Sequence, residues 1–389
     1  DALDEEIIKG GYRGRLHGIP VALKDLTPLL GKKLTYGSRL FLNNVSYKDA
    51  IIADRLKKAG AIIIGKTNTP EFGHKGVTDN LIFGATNNPH DLRKVAGGSS
   101  GGSAAAVSSC MVPLAEGSDG AGSIRIPAAL CGVVGFKPTY GRIPDVAGPF
   151  SSMTPFFHNG PLAKAVYDCH IFYEVVSGLH SHDPFSLPLH YEPQRYDSLK
   201  GIKVAYSPNL DYFRVDAEVA SCVANSVRLM SLMGAEVEEI ETGLGDEVEH
   251  CFLTLWKFKI ASQFGGLSDS ELSLLEPKVG ELREEGRLLT PVQFGEAMKT
   301  RENLWGSLCN VFDNFDLLVT PTTAVTAFDK KEGPPRCIAG REIHSLIGWF
   351  LTYPFNLTGH PVISLPCPVE PGRMPVGIQV VSRRLDDEK

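Results

Sequence analysis

The 389 residues of the chain carry a formal net charge of −6, with 43% hydrophobic and 22% charged residues. That balance is ordinary for a soluble globular protein and contains no basic run that would track a phosphate backbone, so no nucleic-acid partner is expected. Apolar runs such as AIIIG and CGVVGF are far too short to span a bilayer, and no secretory n- and h-region opens the chain, so no membrane partner is expected either.

In chain order, DALDEEIIKGG reads as the tail of a helix. LHGIPVALKDL is bounded by Gly18 and Pro20, and IPVALK within it reads as a strand ending on Lys24. From Asp49 to Gly60 the apolar spacing is helical with Gly60 as C-cap, and AIIIGKTN follows as a buried strand. GIKVAYSP is a strand, residues 216 to 234 form a helix followed by the strand AEVEEIE, and FDLLVTPT and PVGIQVV are further strands. Residues 246 to 306 carry helical patterns with Trp256, Phe258 and Trp305, while 326 to 342 is a Gly/Pro/Lys-rich loop. Alternation of this kind predicts an α/β sandwich with parallel pairing, in one compact domain.

Residues 178 to 200 are rich in Pro, His and charge and read as a surface connection. His180, His182 and Asp183 there are weighed as metal ligands and set aside for a solvated turn, because they crowd a loop with no supporting shell. No metal or cofactor is expected. Eight cysteines, at 110, 131, 169, 222, 251, 309, 337 and 367, form no C-x-x-C pair. In a chain this long they imply reduced, mostly buried thiols and a cytoplasmic setting. Cys131, inside AALCGVVGF without a basic neighbour, is expected to be buried and inert.

The chemistry concentrates between Gly97 and Arg142, where GGSSGGSAAAVSSC leads into EGSDGAGSIRIPAALCGVVGFKPTYGR. Dense glycine disfavours a rigid backbone unless close approach or unusual φ angles are needed. The apolar interruptions AAAV and MVPLA argue against a linker, so the stretch reads as a buried sequence of loop, helix, strand and loop. A serine hydroxyl needs a base to become a nucleophile, and histidine is the usual one. None of the eleven histidines lies in this stretch. A lysine whose pKa is lowered by burial can replace it, as in Ser-Lys variants. A rival reading takes Gly97-Gly98-Ser99-Ser100-Gly101 as G-x-S-x-G, the nucleophile elbow of an esterase with a distant Asp and His, but it leaves the serine motif at Ser123 unexplained. Phosphate binding is weaker still, since G-x-x-x-x-G-K-[ST] is absent.

GIPVALKDL, GKTNTPEFG, GGSSGGSAAAV, GSDGAGSIRIPAALCGVVGFKPTYGR and PFNLTGHP resemble, in order and spacing, the motifs of the amidase signature family of serine hydrolases. The resemblance covers most of the chain and, joined to the helix-strand alternation, implies an α/β fold with a single α/β/α sandwich around a large mixed sheet. It implies a catalytic triad of Lys24, Ser99 and Ser123, with Ser123 as the nucleophile and Ser99 preceded by a cis peptide bond. It implies hydrolysis of a carboxylic amide through an acyl-enzyme, with a small-molecule amide as partner and a homodimer as assembly. Family members usually carry helices ahead of the lysine motif and another after the PVGIQVV strand, and this sequence reads as lacking both. The amides of Gly120, Ala121, Gly122 and Ser123 are the expected oxyanion donors. The family more often has Thr-Gly-Gly-Ser where this chain has Gly-Ala-Gly-Ser, so Ala121 is expected to narrow or reorient the acyl pocket. Ser118, Asp119 and Arg125 are assigned to support of the site, with a plain ion pair as the alternative for Arg125. Phe150, Met153, Phe156 and Phe157 fall where relatives often line the acyl pocket. The family also contains the glutaminase subunit of the tRNA-dependent amidotransferase, but its pattern after KPTYGR usually differs from IPDVAGPF, which favours a stand-alone amidase.

Overall fold

A computed structural model of the chain describes residues 2–145, 157–188 and 198–389. Ten strands form one mixed sheet. Across it they run Ile62–Thr67, Pro20–Lys24, Leu114–Asp119, His158–Ala163, Val134–Lys137, Val362–Pro366, Gly377–Ser382, Leu317–Pro321, Lys203–Tyr206 and Glu236–Glu239. The first three are mutually parallel, as are the last three, and the strands between them pair antiparallel.

Alternation along one strand explains the layering, because successive side chains leave a strand on opposite faces. Val21 and Leu23 join Ile52, Leu56, Phe172 and Val176 in a core beneath helices Ile51–Lys58 and Val166–Val176. Ala22, between them, joins Ala104, Val107 and Ala128 on the other face, under helices Gly101–Ser108 and Arg125–Cys131. Burying each such aliphatic side chain is worth about 1.5–3 kcal/mol. Helix Arg125–Cys131 lies so close to the sheet that a Cβ on Gly377 would come within 2.3 Å of Ala129 Cβ, which is why that strand begins with glycine. The largest core is helical: Phe252, Trp256, Leu304 and Leu308, from helices Glu247–Phe264 and Pro291–Asn314, pack with Trp349 and Tyr353.

The expected α/β/α sandwich with a mixed sheet is therefore what the chain forms. Helix Ile51–Lys58 ends as anticipated, with Gly60 left-handed at φ 83° just past the cap. Ile62–Thr67 departs from expectation. It is an edge strand rather than a buried one, and Ile62 and Ile64 are 44% and 55% exposed because no strand pairs beyond it. Residues 326 to 342 also hold a short hairpin, Cys337–Ile338 against Arg341–Glu342. Among the described residues no helix is long and apolar enough to cross a membrane.

Candidate active site

The parallel strands Pro20–Lys24, Ile62–Thr67 and Leu114–Asp119 end at one edge, and the site gathers there, as ligand sites in open α/β sheets do at the carboxyl ends of strands. Lys24 is the last residue of its strand and is wholly buried. Its Nζ lies 2.6 Å from Ser99 Oγ, 3.0 Å from Ser118 Oγ and 3.4 Å from the Ser118 carbonyl. Burial lowers the Lys24 pKa to about 7, against the opposing pull of Glu116 and Asp119. The Gly98–Ser99 peptide is cis. A Cβ on Gly73 would meet Ser99 Oγ at 3.0 Å, so the lysine motif, the GKTNTPEFG segment and the serine loop converge on one hydroxyl.

Ser123 sits at the end of a second loop, 7% exposed. The Ser100 amide donates to the Ser123 carbonyl at 3.0 Å, which holds the two serine segments side by side. The Ser123 hydroxyl makes no hydrogen bond to another described residue. Asp119 organises this loop. Its carboxylate accepts from the amides of Gly122 at 2.7 Å and Ile124 at 3.2 Å, and it forms a two-pronged pair with Arg125, Nε to Oδ2 and Nη2 to Oδ1, both at 3.0 Å. Burial pushes the Asp119 carboxyl up, but the charge and hydrogen bonds of Arg125, with Lys137 and Asn356, outweigh it and hold the group below the usual carboxylate range. Arg125 continues to the Thr352 carbonyl, Gln379 Oε1 and Asn356 Oδ1. The arginine is thus an ion pair and a support at once, because its partner fixes the loop that carries Ser123.

Gly122 requires its residue type. Its φ is 128°, and a Cβ there would lie 2.0 Å from Thr352 Oγ1, a hydroxyl that donates to the Ala121 carbonyl. Its amide is committed to Asp119, which removes it from the four expected oxyanion donors. The amides of Gly120, Ala121 and Ser123 find no acceptor among the described residues. Ala121 has no left-handed φ, so its methyl is accommodated without backbone strain, against the large core.

Of the aromatic residues expected to line a pocket, Phe150, Met153 and Phe156 lie outside the described residues. Phe157 lies against Gly120, its Cζ 3.2 Å from where a Cβ would stand, and stacks on Trp256 at 6.3 Å. The Lys259 ammonium rests 3.1 Å from the centre of the Phe157 ring, and burial lowers its pKa to about 7. Phe157, Tyr36, Phe72, Ser118 and Lys259 bound a cavity of about 430 Å³. Tyr36 and Phe72 hold φ angles of 54° and 51° there, a conformation that non-glycine residues adopt mainly where surrounding structure imposes it. Ser123 and Ala121 face a separate void of about 20 Å³ walled by His74, Phe252, Trp256 and Phe350, room for roughly one water.

Cys131 is buried, donates to the Ala96 carbonyl, and burial pushes its thiol up, as its apolar surroundings implied. Asp183 accepts from the amides of Asp145 and Phe185 and so holds a turn, but it is buried rather than solvated as its loop suggested. Among the described residues no group of three or more His, Cys, Asp or Glu side chains converges as a metal site. Sequence reading missed Glu116, Thr352, Asn356 and Gln379. Asn356 had a signal in the PFNLTGHP motif, and Glu116 opens the EGSDGAGSIRIP segment without a residue type that marks its contacts.

A buried amine at a strand end, in contact with a serine hydroxyl beside backbone amides that find no acceptor among the described residues, is the geometry of a candidate hydrolase site. The chain belongs to the amidase family: the family model described as Amidase matches residues 1–389. It is 36% identical over 385 residues to an acylamidase of Rhodococcus erythropolis, covering 97% of this chain and 80% of that protein. It is 34% identical to a glutamyl-tRNA(Gln) amidotransferase subunit of Thermotoga maritima, covering 97% and 83%. Its fold matches the crystal structure of a bacterial aryl acylamidase of the amidase signature family with a TM-score of 0.94, at 29% identity over 100% of this chain and 83% of that one. The protein is an amide-hydrolysing enzyme.

Proposed function

We propose that Ser123 is the nucleophile, with Ser99 and Lys24 as a proton relay, in hydrolysis of an N-substituted amide bearing an apolar or aromatic group. The observation that carries this reading is the 2.6 Å contact of the buried Lys24 amine with Ser99. A neutral amine has two N–H bonds and one lone pair. With the N–H bonds directed at the Ser118 hydroxyl and carbonyl, the lone pair is left for the Ser99 proton. As Ser123 Oγ bonds to the amide carbon, its proton passes to Ser99 and the Ser99 proton to Lys24. The oxygen that becomes anionic is received by the amides of Gly120, Ala121 and Ser123, which have no other acceptor among the described residues. Collapse breaks the C–N bond while Ser99 delivers a proton to the nitrogen, which cannot leave as an anion, and Lys24 returns its proton to Ser99, leaving the lysine amine neutral again. Water then attacks the acyl-enzyme along the same relay and releases the acid.

An apolar or aromatic substituent suits a cavity walled by Phe72, Tyr36 and Phe157, and the acylamidase and aryl acylamidase relatives support the same class. The test is a panel of acyl anilides, aliphatic amides and glutamine, read by amine or ammonia release, with Ser123→Ala as control. Turnover of anilides above aliphatic amides supports the reading. Ammonia released from glutamine only with a second protein and tRNA present overturns it in favour of an amidotransferase role.

A further inference from the structure

Glu116 lies in the middle of a strand whose six residues are all buried, and it is 0% exposed. A carboxylate in such a place is costly unless its charge and lone pairs are met, and a hydrophobic residue of similar size would fill the same space more simply. The contacts of this carboxylate all lead to the base. Oε2 accepts the backbone amide of Lys24 at 2.8 Å, and Oε1 accepts the hydroxyl of Thr27 at 2.9 Å. Thr27 stands in the turn that follows Lys24, so one carboxylate clamps both ends of the segment that aims the lysine. The Ser103 hydroxyl donates to the Glu116 carbonyl at 2.7 Å and fixes the strand from the helix side.

The charges around it form a short buried series. Lys66, on the neighbouring strand, donates to the Thr27 carbonyl and pairs with Asp25 at 3.3 Å. Glu116 and Asp119 both draw the Lys24 amine toward its charged form, and Asp119 is already paired with Arg125. Glu116 has no such guanidinium among its described partners.

We propose that Glu116 is a positioning residue for the Lys24 base, holding the Lys24 backbone in place and setting by its charge how readily the Lys24 amine takes a proton. The proposal rests on the assignment of Lys24 as the base. Burial alone drives an amine toward the neutral form, and a fixed negative charge opposes that drive, keeping the base strong enough to draw a proton from a hydroxyl. The charge of Glu116 pulls the Lys24 amine toward its protonated form against burial. Burial works against that charge by raising the Glu116 carboxyl, and the hydrogen bonds from the Lys24 amide and Thr27, with the charges of Lys24 and Lys66, oppose the rise.

The test is the pH profile of kcat/KM for Glu116→Gln, Glu116→Asp and Thr27→Val beside the unaltered enzyme. Glutamine fits the same contacts, its oxygen accepting from Lys24 and its amide donating to Thr27, but lacks the charge. The acid limb of Glu116→Gln is expected to move about one unit to lower pH, with Glu116→Asp restoring the original limb. Thr27→Val, which removes one hydrogen bond from the carboxylate and no charge, is expected to move it the same way by less, and it decides the matter if Glu116→Gln does not fold. A uniform loss of rate with the limb unmoved in the folded variants overturns the proposal and leaves Glu116 a purely structural residue. A profile flat through the acid range in the unaltered enzyme instead overturns the Lys24 assignment itself, a separate failure.

Discussion

Lys24 Nζ and Ser99 Oγ stand 2.6 Å apart, in a place where the side chains are 0% and 2% exposed. A charged ammonium there would be stripped of its hydration, and burial accordingly brings the Lys24 pKa to about 7. Below that pH the amine carries a proton and cannot accept one. kcat/KM is expected to fall about tenfold per unit below pH 7, roughly a hundredfold by pH 5. A steady-state profile from pH 5 to 9 checks this, and a flat acid limb contradicts it.

Ser99→Ala removes the hydroxyl that touches Lys24 and that, in the proposed relay, returns a proton to the departing nitrogen. Loss of a positioned proton donor lowers rates by about 10²–10⁴. The loss is expected to be larger for an anilide than for an ester of the same acyl group, since an alkoxide leaves without prior protonation more readily than an amine anion. Paired kcat/KM measurements on the two substrates give the ratio, and equal losses would remove Ser99 from the leaving-group step.

Asp119 and Arg125 are both fully buried, and each is the other's counter-charge. Asp119→Asn leaves the guanidinium uncompensated and is expected to cost about 3–5 kcal/mol of stability. Because the Asp119 carboxyl is held below its ordinary range, the stability it contributes is present above the unfolded pKa of about 3.9 and is lost as pH falls through the lower folded value. Denaturant titrations of both proteins at pH 7 and pH 3 are expected to show a gap between them that narrows on acidification.

Much of this arrangement is legible in the letters because strand ends and glycine loops advertise themselves locally. IPVALK shows where the strand stops, and Lys24 is on its last position. Glycine-rich composition marks the loop around Gly122 as one where the backbone turns closely, and the pairing of the two serine loops is what the resemblance of their motifs to the amidase signature family implies. What lies hidden depends on strand pairing or distant packing. Ile62–Thr67 has a core strand's composition, yet its place at the sheet edge is set by the absence of a further partner. Glu116 looks like a stray charge until the parallel pairing of its strand with Pro20–Lys24 sets its carboxylate against the Lys24 backbone amide. Thr352 and Gln379 reach Arg125 across 227 and 254 residues of sequence, a separation that no local pattern bridges.

Gly122→Ala tests the cradle. The added methyl meets Thr352 Oγ1 at 2.0 Å in a backbone conformation that alanine resists, so the loop must shift and carry the amides of Gly120, Ala121 and Ser123 with it. Loss of one oxyanion donor alone lowers kcat by about 10²–10³. The variant is expected to lose at least that much in kcat with a smaller change in KM, and unchanged kcat would exclude these amides as the anion site.

Whether the acyl group is carried by Ser123 or by Ser99 decides the mechanism, and trapping with a fluorophosphonate followed by peptide mass spectrometry distinguishes the two. The adduct is expected on the peptide containing Ser123, with no labelling in Ser123→Ala and slow labelling still at Ser123 in Ser99→Ala. An adduct on Ser99 would contradict this and restore that serine as an esterase-type nucleophile.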